Sequence, residues 1–169
     1  MPVYRRTMSI EVRDAEVGEY DAIGQIVVDA FAADGQFDTP GSESYADVLR
    51  DVASRAAAAE IVVAVDEGGV VGGVTYVPRG GPMADLAREG EAEVRMLGVA
   101  PDAQGRGVGT ALMQECIARS AGSSRVVLST QSVARGAHRL YERLGFVREP
   151  ARDWVPVEGV DLLCYVLDL

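Results

Sequence analysis

Residues Ala92 to Leu112 read AEVRMLGVAPDAQGRGVGTAL: a strand, a short loop, and a glycine-spaced turn that opens straight into a helix. A helix start leaves its first backbone N–H groups without intrahelical partners, and the macrodipole adds partial positive charge there. Gly105, Gly107 and Gly109 strip side chains from the turn, so an anion can approach the bare amides closely. Arg106 adds a mobile positive charge in the same loop. The arrangement suits a phosphate or pyrophosphate.

Three anion-binding patterns compete for this turn. A P-loop requires Gly-Lys-Ser/Thr at the helix start, and the chain has no lysine. A dinucleotide fingerprint requires Gly-x-Gly-x-x-Gly, whereas Gly105 and Gly107 are followed by Gly109 and then Leu112. The third pattern, Gln-x-x-Gly-x-Gly, is present from Gln104 to Gly109. It resembles the acyl-CoA pyrophosphate loop of the GNAT superfamily of N-acetyltransferases; the alternative is an ordinary glycine-rich strand-to-helix turn. A second segment, Ala137 to Phe146 (AHRLYERLGF), resembles the family's later Ala-x-x-Leu-Tyr-x-x-x-Gly-Phe signature. Gly145 falls where a helix C-terminus takes a left-handed residue. The two motifs stand in the family's order with a plausible strand, Val126–Thr130, between them, and the specific resemblance covers residues 92–147.

Length and composition set the outer limits. At 169 residues the chain suits one domain with a full core, with residues 1–8 expected as a flexible tail. A net charge of −10 argues against a general nucleic-acid binder, which needs a basic face. All 16 basic residues are arginine and asparagine is missing too, which with abundant Ala, Gly and Val fits a GC-rich bacterial genome. The absence of lysine excludes Schiff-base chemistry. One histidine and two distant cysteines, Cys116 and Cys164, cannot build a usual zinc site, so no metal is expected. His138 reads as a helix-surface residue among arginines. No apolar run has membrane-spanning length and no apolar stretch follows Arg5 and Arg6, so no membrane association and a cytoplasmic location are expected.

Periodicity gives the element order. Ile10–Arg13 alternates as a strand; Val17, Tyr20, Ile23, Val27 and Phe31 make one helical stripe. Ser42 is placed to cap a second helix carrying Tyr45, Val48, Leu49 and Val52. Strands Ile61–Val65 and Val70–Val77 flank a hairpin signal, Asp66-Glu-Gly-Gly69. Residues 78–90 are looser, with a helical turn expected near Asp85. Then follow strand 92–99, a helix to Ser120, strand 126–130, helix 134–144, and two strands expected to pair across the connection 151–159. This order resembles the GNAT fold: an α/β (α+β) chain with a mixed, mostly antiparallel sheet of about seven strands. In that fold a parallel pair splays to admit CoA, and about four helices flank the sheet.

The resemblance also implies roles. Acetyl-CoA, as co-substrate, would meet an amine acceptor in a ternary complex and transfer its acetyl group to a primary amine of a small molecule or peptide. Pantetheine amides would pair with the strand Met96–Val99, including Gly98, read as a bulge, and Val99, with the Leu97 N–H donating to the thioester carbonyl. The diphosphate would rest on amides from Gly105 through Arg106, Gly107, Val108 and Gly109 to Thr110, with the Gln104 and Arg106 side chains helping. Tyr141 matches the tyrosine that protonates the leaving sulfur: a phenol of pKa about 10 suits a thiolate whose acid is about 8.5. Glu93 aligns with a strand glutamate that some members use as base; a solvent-facing strand residue is the other reading. Ala134 replaces the family's frequent cofactor-contacting asparagine, shifting weight to the loop. Family architecture places Phe37 and Trp154, with Asp34 and Asp153, near the acceptor. A homodimer is compatible with the family, and a non-catalytic acyl-CoA-binding sensor or interaction module is the alternative function.

Overall fold

The computed structural model describes residues 9–169, and the expected tail at 1–8 lies outside the described residues. The strands are β1 (Glu11–Asp14), β2 (Glu60–Asp66), β3 (Gly69–Val77), β4 (Glu91–Val99), β5 (Arg125–Gln131), β6 (Val147–Arg148) and β7 (Leu162–Asp168). The helices are α1 (Tyr20–Ala33), α2 (Tyr45–Arg50), α3 (Val52–Ala56), α4 (Val108–Arg119) and α5 (Arg135–Arg143). The strands form one sheet in the order β1-β2-β3-β4-β5-β7-β6. Every neighbouring pair is antiparallel except β4 and β5, which run parallel.

That parallel pair is held only at its start. Glu91, Ala92 and Glu93 are in register with Arg125, Val126 and Val127, and beyond them the strands part. The gap is sustained from the other side of β4 by a bulge. Gly73 pairs with Gly98 and Thr75 with Arg95, so Met96 and Leu97 together oppose Val74. Met96 carries the strain, with φ 56, the only positive-φ non-glycine among the described residues. The bulge expected at Gly98 therefore lies two residues earlier; Gly98 itself stays in register, and its missing side chain serves the packing of α1.

Two apolar layers clamp the sheet. Alternation along β2 sends Val62 and Ala64 to one face and Ile61 and Val63 to the other. On the first face they meet Leu112, Met113 and Cys116 of α4 and Tyr141 of α5. On the second they meet Ile23 and Val27 of α1, Leu49 and Val52. Fully burying such a branched side chain stabilises by about 1.5–3 kcal/mol. The buried Arg55 ties the second layer down: its Nε donates to Thr75 Oγ1 at 3.1 Å and its Nη1 to the Val48 and Leu49 carbonyls at 2.7 and 3.0 Å. It thereby adds a side-chain donor to carbonyls in the last turn of α2, where intrahelical partners run out.

Three local expectations are corrected. The second helix is two helices, because Asp51 ends α2 and its carboxylate then accepts the Ser54 N–H at 3.2 Å to start α3. Ser42 is not its cap; Gly41, at φ 89, precedes a 3-10 turn at Ser42–Ser44. No helical turn forms near Asp85. Instead the Glu93 carboxylate accepts the N–H groups of Asp85, Leu86 and Ala87 at 2.8, 3.1 and 3.3 Å, which competes directly with local helical bonding. Among the described residues no helix is long and apolar enough to cross a membrane.

Candidate functional site

The parting of β4 and β5 opens into a cavity of about 420 Å³, within the range of small-molecule sites. Leu97 of β4, Thr130 of β5, Tyr141 of α5, Phe31 of α1, Tyr45 of α2 and Trp154 all line it. Three chain segments thus converge that are remote in sequence: the α1–α2 connection, the bulged strand, and the loop before β7. Two contacts fix the α1–α2 connection, one to the loop before β7 and one to the end of β5. Thr39 Oγ1 donates to the Gly159 carbonyl at 3.4 Å, and Gln131 Nε2 to the Gln36 carbonyl at 3.2 Å.

Tyr141 is 6% exposed, its ring packed on Phe146 and Tyr165 at centroid distances of 5.9 and 6.0 Å. No hydrogen bond reaches its hydroxyl from the described residues, and the residue lines the cavity. Burial pushes the phenol pKa well up, with smaller contributions from Cys116 and from the Asp34 carboxylate. Asp34 closes α1 and also lines the cavity; the residue is exposed as a whole, partial burial of its carboxyl raises the pKa, and the Gln36 amide at 3.5 Å opposes that. At the far side, Arg95 Nη2 pairs with Asp85 at 2.8 Å and its Nη1 donates to the Met83 carbonyl at the same distance.

The glycine turn lies outside this cavity, between β4 and α4. Gly105 and Gly107 take φ of 76 and 81, and nothing stands within 4 Å of where their side chains would be. Gly107 caps α4 and the first intrahelical bond is from Ala111 to the Gly107 carbonyl, so the N–H groups of Val108, Gly109 and Thr110 are free of the helix. No acid occupies the first turn. Gly109 differs: a side chain there would meet Leu140 at 3.1 Å, so it allows α4 to pack on α5. Gln104 Nε2 donates to the Val99 carbonyl at 3.3 Å, closing the turn. Arg106 pairs with Asp66 at 3.0 Å while its Nη2 stays buried without a partner. Open space at two glycines, unpaired amides and an unsatisfied guanidinium nitrogen all fit a diphosphate.

The structure brings Leu97, Tyr141 and Trp154 onto one cavity, along with Ala134, which is buried at the start of α5. Phe37 lies just behind, its ring 6.2 Å from that of Phe31. Glu93 does not line the cavity: it is 1% exposed and roofed by residues 85–87. Glu91 and Glu93 do share a face, as strand parity predicts, both beneath the 85–88 segment. His138, read as a surface residue, turns inward to place Nε2 2.9 Å from the Gln131 carbonyl. Tyr45, Asp85 and Arg95 escaped sequence reading because nothing local marks them.

A sheet that parts between two parallel strands, with a bare helix start beside the gap and a cavity within it, is the acetyltransferase architecture. A family model described as the acetyltransferase (GNAT) family matches residues 21–146, and the chain belongs to that family. A solved structure from Corynebacterium glutamicum, described as histone acetyltransferase HPA2 and related acetyltransferase, is 27% identical with a TM-score of 0.71, covering 94% of this chain and 96% of that one. The PaiA N-acetyltransferase of Thermoplasma acidophilum, solved with coenzyme A, is 16% identical with a TM-score of 0.72, covering 96% and 100%. Mycothiol acetyltransferase of Geodermatophilus obscurus is 42% identical over 69 residues, which is 40% of this chain but only 22% of that relative's length.

Proposed function

We propose that the protein is an acetyl-CoA-dependent N-acetyltransferase that acetylates a primary amine of a small molecule or peptide by direct attack in a ternary complex. The observation that carries this is Tyr141: a buried phenol with an unbonded hydroxyl on the wall of the cavity where β4 and β5 part.

When bound, acetyl-CoA supplies an activated acyl group on a thiol leaving group. The amides of Val108, Gly109 and Thr110 hold its diphosphate, joined by the turn residues Gly105 and Gly107, with Arg106 adding its unsatisfied Nη2. Main chain from Leu97 to Val99 meets the pantetheine, since neither neighbouring strand is in register with Leu97. The Leu97 N–H polarises the thioester carbonyl, and Tyr141 gives its proton to the departing sulfur. Trp154 and Phe31, the latter backed by Phe37, shape the acceptor side. For Glu93 we propose the task of holding residues 85–87, and with them the Asp85–Arg95 pair, at the cavity's inner end.

A non-catalytic acyl-CoA-binding module is the competing reading, favoured by the enclosure of Glu93. Thiol release from acetyl-CoA with a panel of amines decides between them, measured beside thermal stabilisation by CoA. Amine-dependent release supports the enzyme; stabilisation without release supports the module.

A further inference from the structure

We infer that Asp34 selects the acceptor and takes its proton, and that the acceptor is a compact amine, cationic in solution and lacking a carboxylate. The inference rests on the acetyltransferase reading and names the substrate class of the same cavity.

The charges come first. Three charged side chains line the cavity: Asp34, Asp85 and Arg95. Asp85 and Arg95 neutralise each other at 2.8 Å. Among the described residues no arginine pairs with Asp34, whose nearest polar partner is the Gln36 amide at 3.5 Å. The cavity therefore presents one uncompensated negative charge, which favours an ammonium and disfavours a carboxylate brought beside it. The rest of the wall is uncharged and mixed: Phe31, Val48, Val157 and Val160 offer apolar surface, Gln36, Ser129, Thr130 and Gln131 offer hydrogen-bonding groups, and Trp154 adds an indole whose buried Nε1 has no partner among the described residues.

The position of Asp34 argues for function over stability. It is the C-cap of α1, where the negative end of the helix dipole disfavours an acid. The fold therefore places a carboxylate against the local field, unpaired, at a cavity rim. Asp34 and Tyr141 line the same cavity, so the acid and the sulfur's proton donor face one space.

The balance is simple. Asp34 takes the first proton of the ammonium and releases it to solvent across its exposed edge. The nitrogen lone pair then forms the bond to the acyl carbon while the carbon–sulfur bond breaks and its electron pair leaves on sulfur. The nitrogen's second proton makes up for the one that Tyr141 gives the sulfur. One proton is released overall.

The test uses the full chain, acetyl-CoA, 2-phenylethylamine, phenylalanine as its carboxylate-bearing analogue, and 2-phenylethanol as a neutral isosteric inhibitor. The wild type should prefer 2-phenylethylamine to phenylalanine by about tenfold or more in kcat/KM, and should bind the alcohol more weakly than the amine by a similar factor. Asp34→Asn should abolish the amine-over-alcohol preference and raise the KM for the amine, while thermal stability and the shift induced by CoA are kept. Unchanged discrimination in D34N, or a wild type that prefers phenylalanine, overturns the inference and leaves the acetyltransferase reading standing. Failure of acetyl-CoA both to stabilise the wild type and to release thiol with any amine overturns both.

Discussion

A side chain on Gly98 would stand 2.7 Å from the Cα of Val27, closer than any carbon contact allows. Helix α1 therefore lies directly on β4, just past the Met96 bulge, and sets the depth of the cleft that Phe31 and Asp34 carry at its end. Gly98→Ala must push α1 outward, because the obstacle is backbone and not a movable side-chain tip. Such overpacking costs about 1–3 kcal/mol, and a lower urea midpoint at an unchanged slope is the expected result. An unaltered midpoint would show that α1 is not seated by this contact.

Arg152 and Glu91 form the buried pair at the closed end of the split strands, Nη2 to Oε2 at 2.9 Å with side chains 3% and 8% exposed. Burial alone would raise the Glu91 carboxyl, yet hydrogen bonds from Arg152 and from the Arg88 N–H hold it below the usual range. A depressed carboxylate contributes stability that is present above its unfolded pKa, about 4.3, and is lost as pH falls through the folded value. Arg152→Leu should destabilise by about 3–5 kcal/mol at neutral pH, because it strands the Glu91 charge. The deficit should shrink on acidification, since the stranded carboxyl then protonates readily. Urea midpoints at pH 7 and pH 4 measure both effects.

The parts of the fold legible in the sequence were those written locally. The α4 turn is spelled by Gln104 to Gly109, the end of α5 by Gly145, and the β2–β3 hairpin by Asp66 to Gly69. The Met96 bulge was not legible, since left-handed backbone at a methionine is imposed by tertiary packing against its own preference. The segment 78–90 also misled: its conformation is set by the Glu93 carboxylate, reaching across from another element. Likewise the cavity wall mixes residues from α2, β4 and the loop before β7, so Tyr45 and Arg95 acquire their place only through the fold.

Tyr141→Phe removes a hydroxyl that supports nothing in the fold, so thermal stability should hold. Turnover should fall by about a hundredfold if the phenol protonates the sulfur, with the KM for acetyl-CoA little changed. Because burial raises this phenol, it stays protonated through mildly alkaline pH, and no alkaline limb from Tyr141 should appear there. Steady-state rates across that range, under conditions where chemistry limits, provide the check.

Glu93→Gln separates structure from proton transfer. Burial raises the Glu93 carboxyl, so its charged form is the costly one at neutral pH, and any stability linked to its protonation is lost as pH rises through the folded value. The amide keeps one acceptor oxygen for the N–H groups of residues 85–87, so the variant should fold. Its kcat/KM profile should keep the acidic limb of the wild type. Loss of that limb would hand the base role to Glu93 and take it from Asp34.

Gly107 joins the turn to α4 at φ 81, with open space where a side chain would project. Gly107→Ala therefore meets backbone strain without a clash, costing about 1–2 kcal/mol. If the amides it precedes hold the diphosphate, the added methyl also shifts them, and CoA should protect the variant far less than the wild type. For the wild type, CoA at a hundred times its Kd should add about 2.7 kcal/mol. Gly122→Ala is the matched control: it has φ 90 and equal open space, but lies beyond the opposite end of α4. Comparable destabilisation of both variants, with CoA protection lost only at position 107, is the outcome expected of a cofactor turn; equal protection in both would make it an ordinary helix start.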